Sequence, residues 1–355
     1  MLANHARPTE PPAALKPAVR ASSDPPLDDG IDLVLCGDFD PAERAQWLAA
    51  LGPALAAACP GARLHDEHAA HDAQAVEVAV VANPPSGALR RWPRLRLVQS
   101  LWAGVDRLLA DPTLPSALPL LRMVDLAMAE AMAQTALWAV LALHRGHFEY
   151  ARRQRAGRWQ PQPQRRADEV TVGVLGLGRL GLAAARRIAA MGYRVQGWTL
   201  HARTPGADPE PADGIARAAG AEVLWPLLAA SDIVVNLLPL TPATRGLIDA
   251  RFLAALPRGA GLVNLARGAH VVEADLLAAL DAGQLAQAVL DVFETEPLPP
   301  AHPFWQHPRV TVLPHVAALT DPRSAAAVVA ANLAAWRAGQ PIQTLAGYVD
   351  RLRAY

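Results

Sequence analysis

The sequence predicts an α/β protein of two parallel-sheet domains with a cleft between them. Three observations carry that expectation. The chain has 355 residues, which at ~150 residues per domain suggests about two domains. Short apolar strands alternate with helical stretches in two successive series, the arrangement that builds parallel sheets. A glycine-rich turn, Gly176-Leu177-Gly178-Arg179-Leu180-Gly181, follows the first strand of the second series.

Residues 1–29 hold six prolines among scattered charges and bury little, so they read as a mobile extension. Strands are expected at 31–36, 76–81 and 95–99, with a helix at 42–59 ended by Pro60-Gly61. Residues 126–157 read as one long helical stretch rich in Met, Ala and Leu. The second series has strands at 170–175, 194–200, 233–238, 261–265, 288–292 and 310–313, with a helix at 182–191 after the glycine turn. A last helix at 321–338 can cross back to the first sheet. The expected division is therefore 30–130 with 318–355 as the substrate-binding domain, and 131–317 as the dinucleotide-binding domain.

Composition excludes several classes. The 33 basic and 33 acidic side chains balance, which argues against nucleic acid or an acidic membrane as partner. Lys16 is the single lysine and sits in the proline-rich start, so Schiff-base chemistry and a lysine-dependent phosphate loop are not expected. Cys36 and Cys59 lack metal-ligand spacing and fall in segments that read as buried, so no metal site is expected. The apolar run 131–143 is too short for a membrane span, and the start has no secretory core. A cytoplasmic location is the expectation.

The glycine turn lies between a strand and a helix, where each glycine has a job. Gly176 permits the turn, Gly178 lets a pyrophosphate approach the backbone, and Gly181 lets helix and strand pack closely, with Arg179 and Leu180 opening the helix toward the phosphates. An NAD site usually ends the next strand in Asp or Glu. Here Thr199 occupies that position, and Arg203 follows as a cation for a 2′-phosphate. NADP(H) is thus the expected cofactor, with NAD(H) the alternative.

Strand ends of the second domain deliver Arg267, Asp291, Glu296 and His315. Ligands of open α/β sheets bind at such ends. Reducing a 2-oxo acid requires a cation for the carboxylate and carbonyl, which the planar fork of arginine suits. It also requires a proton donor for the developing alkoxide, which suits histidine beside a carboxylate.

Across the blocks Leu262-Val263-Asn264-Leu265-Ala266-Arg267-Gly268, Leu290-Asp291-Val292-Phe293, Glu296-Pro297-Leu298-Pro299-Pro300 and Pro314-His315-Val316-Ala317-Ala318, the chain resembles the D-isomer-specific 2-hydroxyacid dehydrogenases, and within them the glyoxylate/hydroxypyruvate reductase A group. The resemblance implies two Rossmann-like domains, one flavodoxin-like and one dinucleotide-binding. It implies that Arg267 binds and polarises the oxo acid, that His315 is the acid/base with Glu296 as partner, and that Pro239 and Asp291 join the cofactor site. It places Trp102-Ala103-Gly104-Val105 on the substrate loop, with backbone N–H groups of 103–105 on the carboxylate. Many relatives have glycine at the position of Trp102, whose ring either reshapes the pocket or packs on the wall between domains. Trp159 either resembles a tryptophan that reaches a neighbour's active site in related dimers or is an ordinary packed aromatic, and a homodimer through 126–157 is expected. The alternatives are a dehydrogenase of larger 2-oxo acids and a nucleotide-sensing protein like the related corepressors.

Overall fold

Valine- and leucine-rich runs, apolar on both faces, belong in parallel strands covered by helices from either side. The computed structural model describes residues 30–201 and 214–351. In the first sheet, β1 (Asp32–Gly37), β2 (Arg63–Asp66), β3 (Val76–Ala82), β4 (Leu97–Ser100) and β5 (Leu120–Leu121) pair in parallel in the order β2-β1-β3-β4-β5. The second sheet contains β6 (Thr171–Leu175), β7 (Arg194–Thr199), β8 (Ala216–Ala219), β9 (Ile233–Asn236), β10 (Ala260–Asn264), β11 (Leu285–Leu290) and β12 (Val310–Val312). Its order is β12-β11-β10-β9-β6-β7-β8, again all parallel. The chain runs outward from β6 to β8 and then returns to β9 on β6's other side. That reversal opens a crevice at the carboxyl ends of β6 and β9.

The helices are α1 (Pro41–Ala58), α2 (Asp106–Leu109), α3 (Leu126–His144), α4 (His147–Arg155), α5 (Arg179–Ala189), α6 (Ala221–Ala229), α7 (Ala250–Ala255), α8 (Glu273–Asp281) and α9 (Pro322–Arg337). Asp40 caps α1 by accepting the Glu43 N–H at 2.8 Å, with Pro41 at the first helical position. α9 does return to the first sheet: it lies along α1 and adds Ala325, Val329 and Leu333 to that core. Leu180 and Ala318 pack against the cores of both sheets, so the two layers meet there.

Several sequence expectations need correction. The single helical stretch 126–157 is two helices, because Gly146 takes a left-handed conformation (φ 69°) that ends one and starts the next. α5 begins at Arg179, directly after Gly178, rather than at 182. Strands β2, β5 and β8 and helices α2, α6, α7 and α8 are absent from the sequence expectation. The three strands are edges, short or polar (Arg-Leu-His-Asp in β2) or alanine-rich (Ala-Arg-Ala-Ala in β8), and carry little apolar signal. Both cysteines are buried as expected, and burial, with Glu67 alongside, pushes the Cys36 thiol up to about 12. α3 is long and apolar enough to cross a membrane by length and composition. In this fold it packs against α5 and puts Ala136, Ala139 and Val140 into the second core. The proline-rich extension 1–29 lies outside the described residues.

Candidate active site

The glycine turn leaves β6 and enters α5. At Gly176, φ is +92°, and a Cβ there would lie 2.6 Å from the Leu237 carbonyl oxygen. A Cβ at Gly181 would lie 1.7 Å from the carbonyl oxygen of Gly176, so helix and turn touch backbone to backbone. Gly178, the α5 N-cap, has nothing within 4 Å of its Cβ position. Two glycines thus close the turn while the middle one leaves space above the first free N–H groups of α5, a fit for a pyrophosphate. Thr199 ends β7 beside it, its hydroxyl donating to the His201 carbonyl at 2.9 Å, and no carboxylate ends that strand. Arg203 lies outside the described residues. Pro239, in the loop after β9 that faces Gly176, lends its carbonyl to the Thr244 hydroxyl at 2.7 Å.

Arg267 follows the fully buried strand β10. Its Nε donates to Asp106 Oδ1 at 2.9 Å and its Nη1 to the Ala266 carbonyl at 2.7 Å. The remaining nitrogen, Nη2, lies over Gly104, where a Cβ would come within 1.3 Å of it. Beside it, the N–H groups of Ala103, Gly104 and Val105 donate to no protein acceptor among the described residues. The loop is held from below: the Trp102 N–H donates to Ser100 Oγ at 3.0 Å, and its carbonyl accepts the Met123 N–H at 2.9 Å. The Trp102 ring sits edge-on to Trp47 at 6.2 Å, against the first core. The ring thus packs within the first domain, with part of it still exposed.

His315 and Glu296 face each other at 2.7 Å, His315 Nδ1 to Glu296 Oε2, and Nε2 has no hydrogen-bond partner among the described residues. Glu296 Oε1 accepts the Phe293 N–H at 2.9 Å, and the Glu296–Pro297 peptide is cis. Burial works to raise the Glu296 pKa. The His315 hydrogen bond, the Phe293 N–H and the charges of His315 and Arg267 outweigh it and hold the carboxyl below its usual range. His315 itself has a left-handed backbone (φ 55°), which costs about 1 kcal/mol for a non-glycine residue. Asp291 fixes that conformation. Its carbonyl accepts the His315 N–H at 2.9 Å, and its carboxylate accepts the N–H groups of Val316 and Ala317 at 2.7 and 3.0 Å. Burial raises the Asp291 pKa despite those two donors. Its carboxylate, expected at the cofactor, is seen holding the loop that carries His315.

Four further residues frame the site and were not anticipated. Asp106 orients Arg267. Asn264 donates to the Arg267 carbonyl at 3.0 Å and accepts from Asn236 at 3.0 Å, both asparagines being fully buried. His270, also fully buried, puts Nδ1 3.1 Å from the Arg267 carbonyl and Nε2 3.3 Å from that of Pro239. Burial lowers its pKa, against the pull of those two carbonyls. A polar residue ending an otherwise apolar strand, as at Asn236 and Asn264, was the available signal.

A family model described as "D-isomer specific 2-hydroxyacid dehydrogenase, NAD binding domain" matches residues 137–317. The glyoxylate/hydroxypyruvate reductase A of Serratia proteamaculans (strain 568) is 44% identical over 315 residues, 87% of this chain and 96% of that protein. The chain belongs to the D-isomer specific 2-hydroxyacid dehydrogenase family. It is an oxidoreductase, and the match over 137–317 takes in the glycine turn, Arg267, Glu296 and His315. Among solved 2-hydroxyacid dehydrogenases, that of Xanthobacter autotrophicus Py2 in complex with NADPH and MES has a TM-score of 0.83 at 42% identity, covering 92% of this chain and 100% of that one. The NADPH-dependent glyoxylate/hydroxypyruvate reductase of Sinorhizobium meliloti, with NADP and sulfate, has a TM-score of 0.80 at 36% identity, covering 92% and 100%.

Proposed function

We propose that this 2-hydroxyacid dehydrogenase reduces small 2-oxo acids with NADPH, converting glyoxylate to glycolate and hydroxypyruvate to D-glycerate. The observation that carries the reading is Arg267 lying over Gly104 beside three unused N–H groups, with a Glu296-paired His315 at neighbouring strand ends. Relatives at 40–44% identity bear the name glyoxylate/hydroxypyruvate reductase A. Arg267 and the amides of 103–105 hold the carboxylate, and Arg267 polarises the carbonyl. His315 gives the proton on Nε2 to the carbonyl oxygen, and Glu296 at Nδ1 steadies the ring and its positive charge. NADPH, when bound, supplies the hydride. Gly176, Gly178, Arg179, Leu180 and Gly181 hold its pyrophosphate, and Thr199, in place of an acid, leaves a 2′-phosphate unrepelled. Approach of the two sheets excludes water from the reacting atoms.

The same proposal divides the chain into 30–130 with 318–355 on the substrate side and 131–317 on the cofactor side. It makes the protein a cytoplasmic homodimer. Leu126 (77% exposed) and Trp138 on α3, and the fully exposed Trp159, offer apolar surface to a second copy. NADPH oxidation by the purified protein tests the activity: glyoxylate and hydroxypyruvate support turnover, faster with NADPH than with NADH, and His315→Ala removes most of it. No turnover with any 2-oxo acid would refute the reading. A monomeric mass in solution would refute the dimer.

A further inference from the structure

Arg122 is a cation that the site described so far does not use. It follows β5 at the carboxyl end of the first sheet, and its neighbour Met123 bonds the substrate loop through the Trp102 carbonyl. Its backbone is pinned. The N–H donates to the Gly347 carbonyl at 2.8 Å, and a Cβ on Gly347 would lie 2.1 Å from the Arg122 carbonyl oxygen.

The side chain, by contrast, has no hydrogen bond or ion pair among the described residues. Nε is sealed from solvent with no acceptor. Other inward-facing arginines have acids: Arg44 has Asp66 and Glu67, and Arg267 has Asp106. Arg122 has no such acid among the described residues. Burial first, and then the charge of Arg179, press its guanidinium below the ordinary arginine range. Arg179 is the first residue of α5, beside Gly178, and its own side chain is unpaired among the described residues. Leu180, next along, packs into the core of the first sheet, so the start of α5 abuts the layer that carries Arg122.

Arg122 beside the first sheet and Arg179 at the start of α5, on the layer against which Leu180 packs, therefore both lack a carboxylate partner among the described residues. A half-buried cation with a sealed Nε and no counter-charge is costly, and a neutral side chain of similar size is the more stable choice for the protein alone. The cost is offset when an anion enters, and the phosphate cradle at Gly178 is where this chain receives one.

We propose that Arg122 is a ligand of the dinucleotide pyrophosphate, reaching from the substrate-side sheet to the phosphates seated at the start of α5. The proposal rests on the reading of NADPH as cofactor. It makes cofactor binding a second bridge between the sheets, one through an anion beside the Asp106–Arg267 pair that already joins them over the oxo acid.

The test uses the full-length protein, Arg122→Gln and Arg122→Lys. Intrinsic fluorescence titration with NADPH, at several salt concentrations, gives the dissociation constant without turnover. Thermal unfolding with and without NADPH gives the stability of each state. For Arg122→Gln we expect affinity for NADPH to fall about 10- to 100-fold, as for loss of a charged hydrogen bond, with a shallower salt dependence. We expect an unfolding midpoint without cofactor equal to or above that of the wild type, and a smaller upward shift on adding NADPH. Arg122→Lys, which keeps the charge, retains more of the affinity. An unchanged NADPH affinity in Arg122→Gln overturns the proposal, as does a midpoint lowered by several degrees, which marks a packing role. If affinity holds while KM for glyoxylate rises, Arg122 serves the oxo acid instead, and the proposal fails. Wild-type protein that does not bind NADPH defeats the cofactor reading itself, and the same titration separates that result.

Discussion

Gly104→Ala isolates the substrate site from the fold. The new Cβ would stand 1.3 Å from Arg267 Nη2, 2.5 Å from Cζ and 3.2 Å from Asp106 Oδ1. Non-bonded carbon and nitrogen need roughly 3.5 Å, so the guanidinium must retreat about 2 Å. The fold can bear this, because the clash is with the end of a long side chain that is 29% exposed, and Gly104 does not have a positive φ. Loss of the part-exposed Arg267–Asp106 pair costs about 1 kcal/mol or less. Catalysis cannot bear it equally. A misplacement of about 1 Å costs about 100-fold, so kcat/KM for glyoxylate should fall about 100- to 1,000-fold, about 3–4 kcal/mol at 1.36 kcal/mol per factor of ten. NADPH affinity, set at the glycine turn, should stay within about twofold. Absorbance at 340 nm reads the rate, fluorescence titration the cofactor, and thermal unfolding the fold. A kcat/KM within threefold of wild type would show that Arg267 does not work from above Gly104.

Gly181→Ala should do the reverse, since its Cβ meets the Gly176 carbonyl oxygen at 1.7 Å and neither backbone can yield cheaply. Denaturant unfolding should show a loss of about 1–3 kcal/mol, with weaker NADPH binding. Glu296→Gln should lower kcat by about 100-fold or more while leaving NADPH affinity intact. Because the folded Glu296 pKa lies below its ordinary 4.5, this carboxylate is already ionised through neutral pH. A rate–pH profile that assigned it a pKa near 6 would contradict the observed hydrogen bonds. Asp111 is a stability counterpart. Burial raises its pKa, but the Gly87 and Thr113 N–H groups and the Thr113 and Ser86 hydroxyls outweigh that and bring it to about 2. A depressed pKa adds stability above the unfolded value of 3.8 that disappears as pH falls toward 2. Asp111→Ala should therefore cost about 1 kcal/mol at pH 7, and its unfolding midpoint should converge with wild type between pH 4 and pH 2.

What the sequence reveals divides by how local the physics is. The central strands were legible because Val172, Val174 and Val263 must be apolar to be buried on both faces, and the glycine turn because close approach excludes a Cβ at fixed spacing. The candidate catalytic residues were legible because each ends or follows such a strand. Edge strands were not: Arg63 to Asp66 form β2 by pairing with β1, with little apolar preference of their own. The Asp106–Arg267 pair was also out of reach, since its members are 161 residues apart and meet only when the two sheets face each other. Arg122 is a related case. A lone arginine after a two-residue strand has no signature, and its interest comes from what is missing around it in space.

Zero net charge and a cleft suited to anions are compatible because charge here is placed rather than accumulated. Glyoxylate, hydroxypyruvate and NADPH are all anions, yet a chain with a basic excess would attract every polyanion in the cell. Arg267 is held by Asp106 through Nε, which fixes the plane of its fork while Nη2 stays over the substrate loop. That partner weakens the field of the cation but sharpens its direction, and direction is what a planar carboxylate reads. Arg122 and Arg179 have no such acid among the described residues, which suits a phosphate, where total charge counts for more than the orientation of one plane. Under the proposed assignments, the acid beside one arginine and its absence beside the other two would sort the oxo acid from the nucleotide within a single crevice.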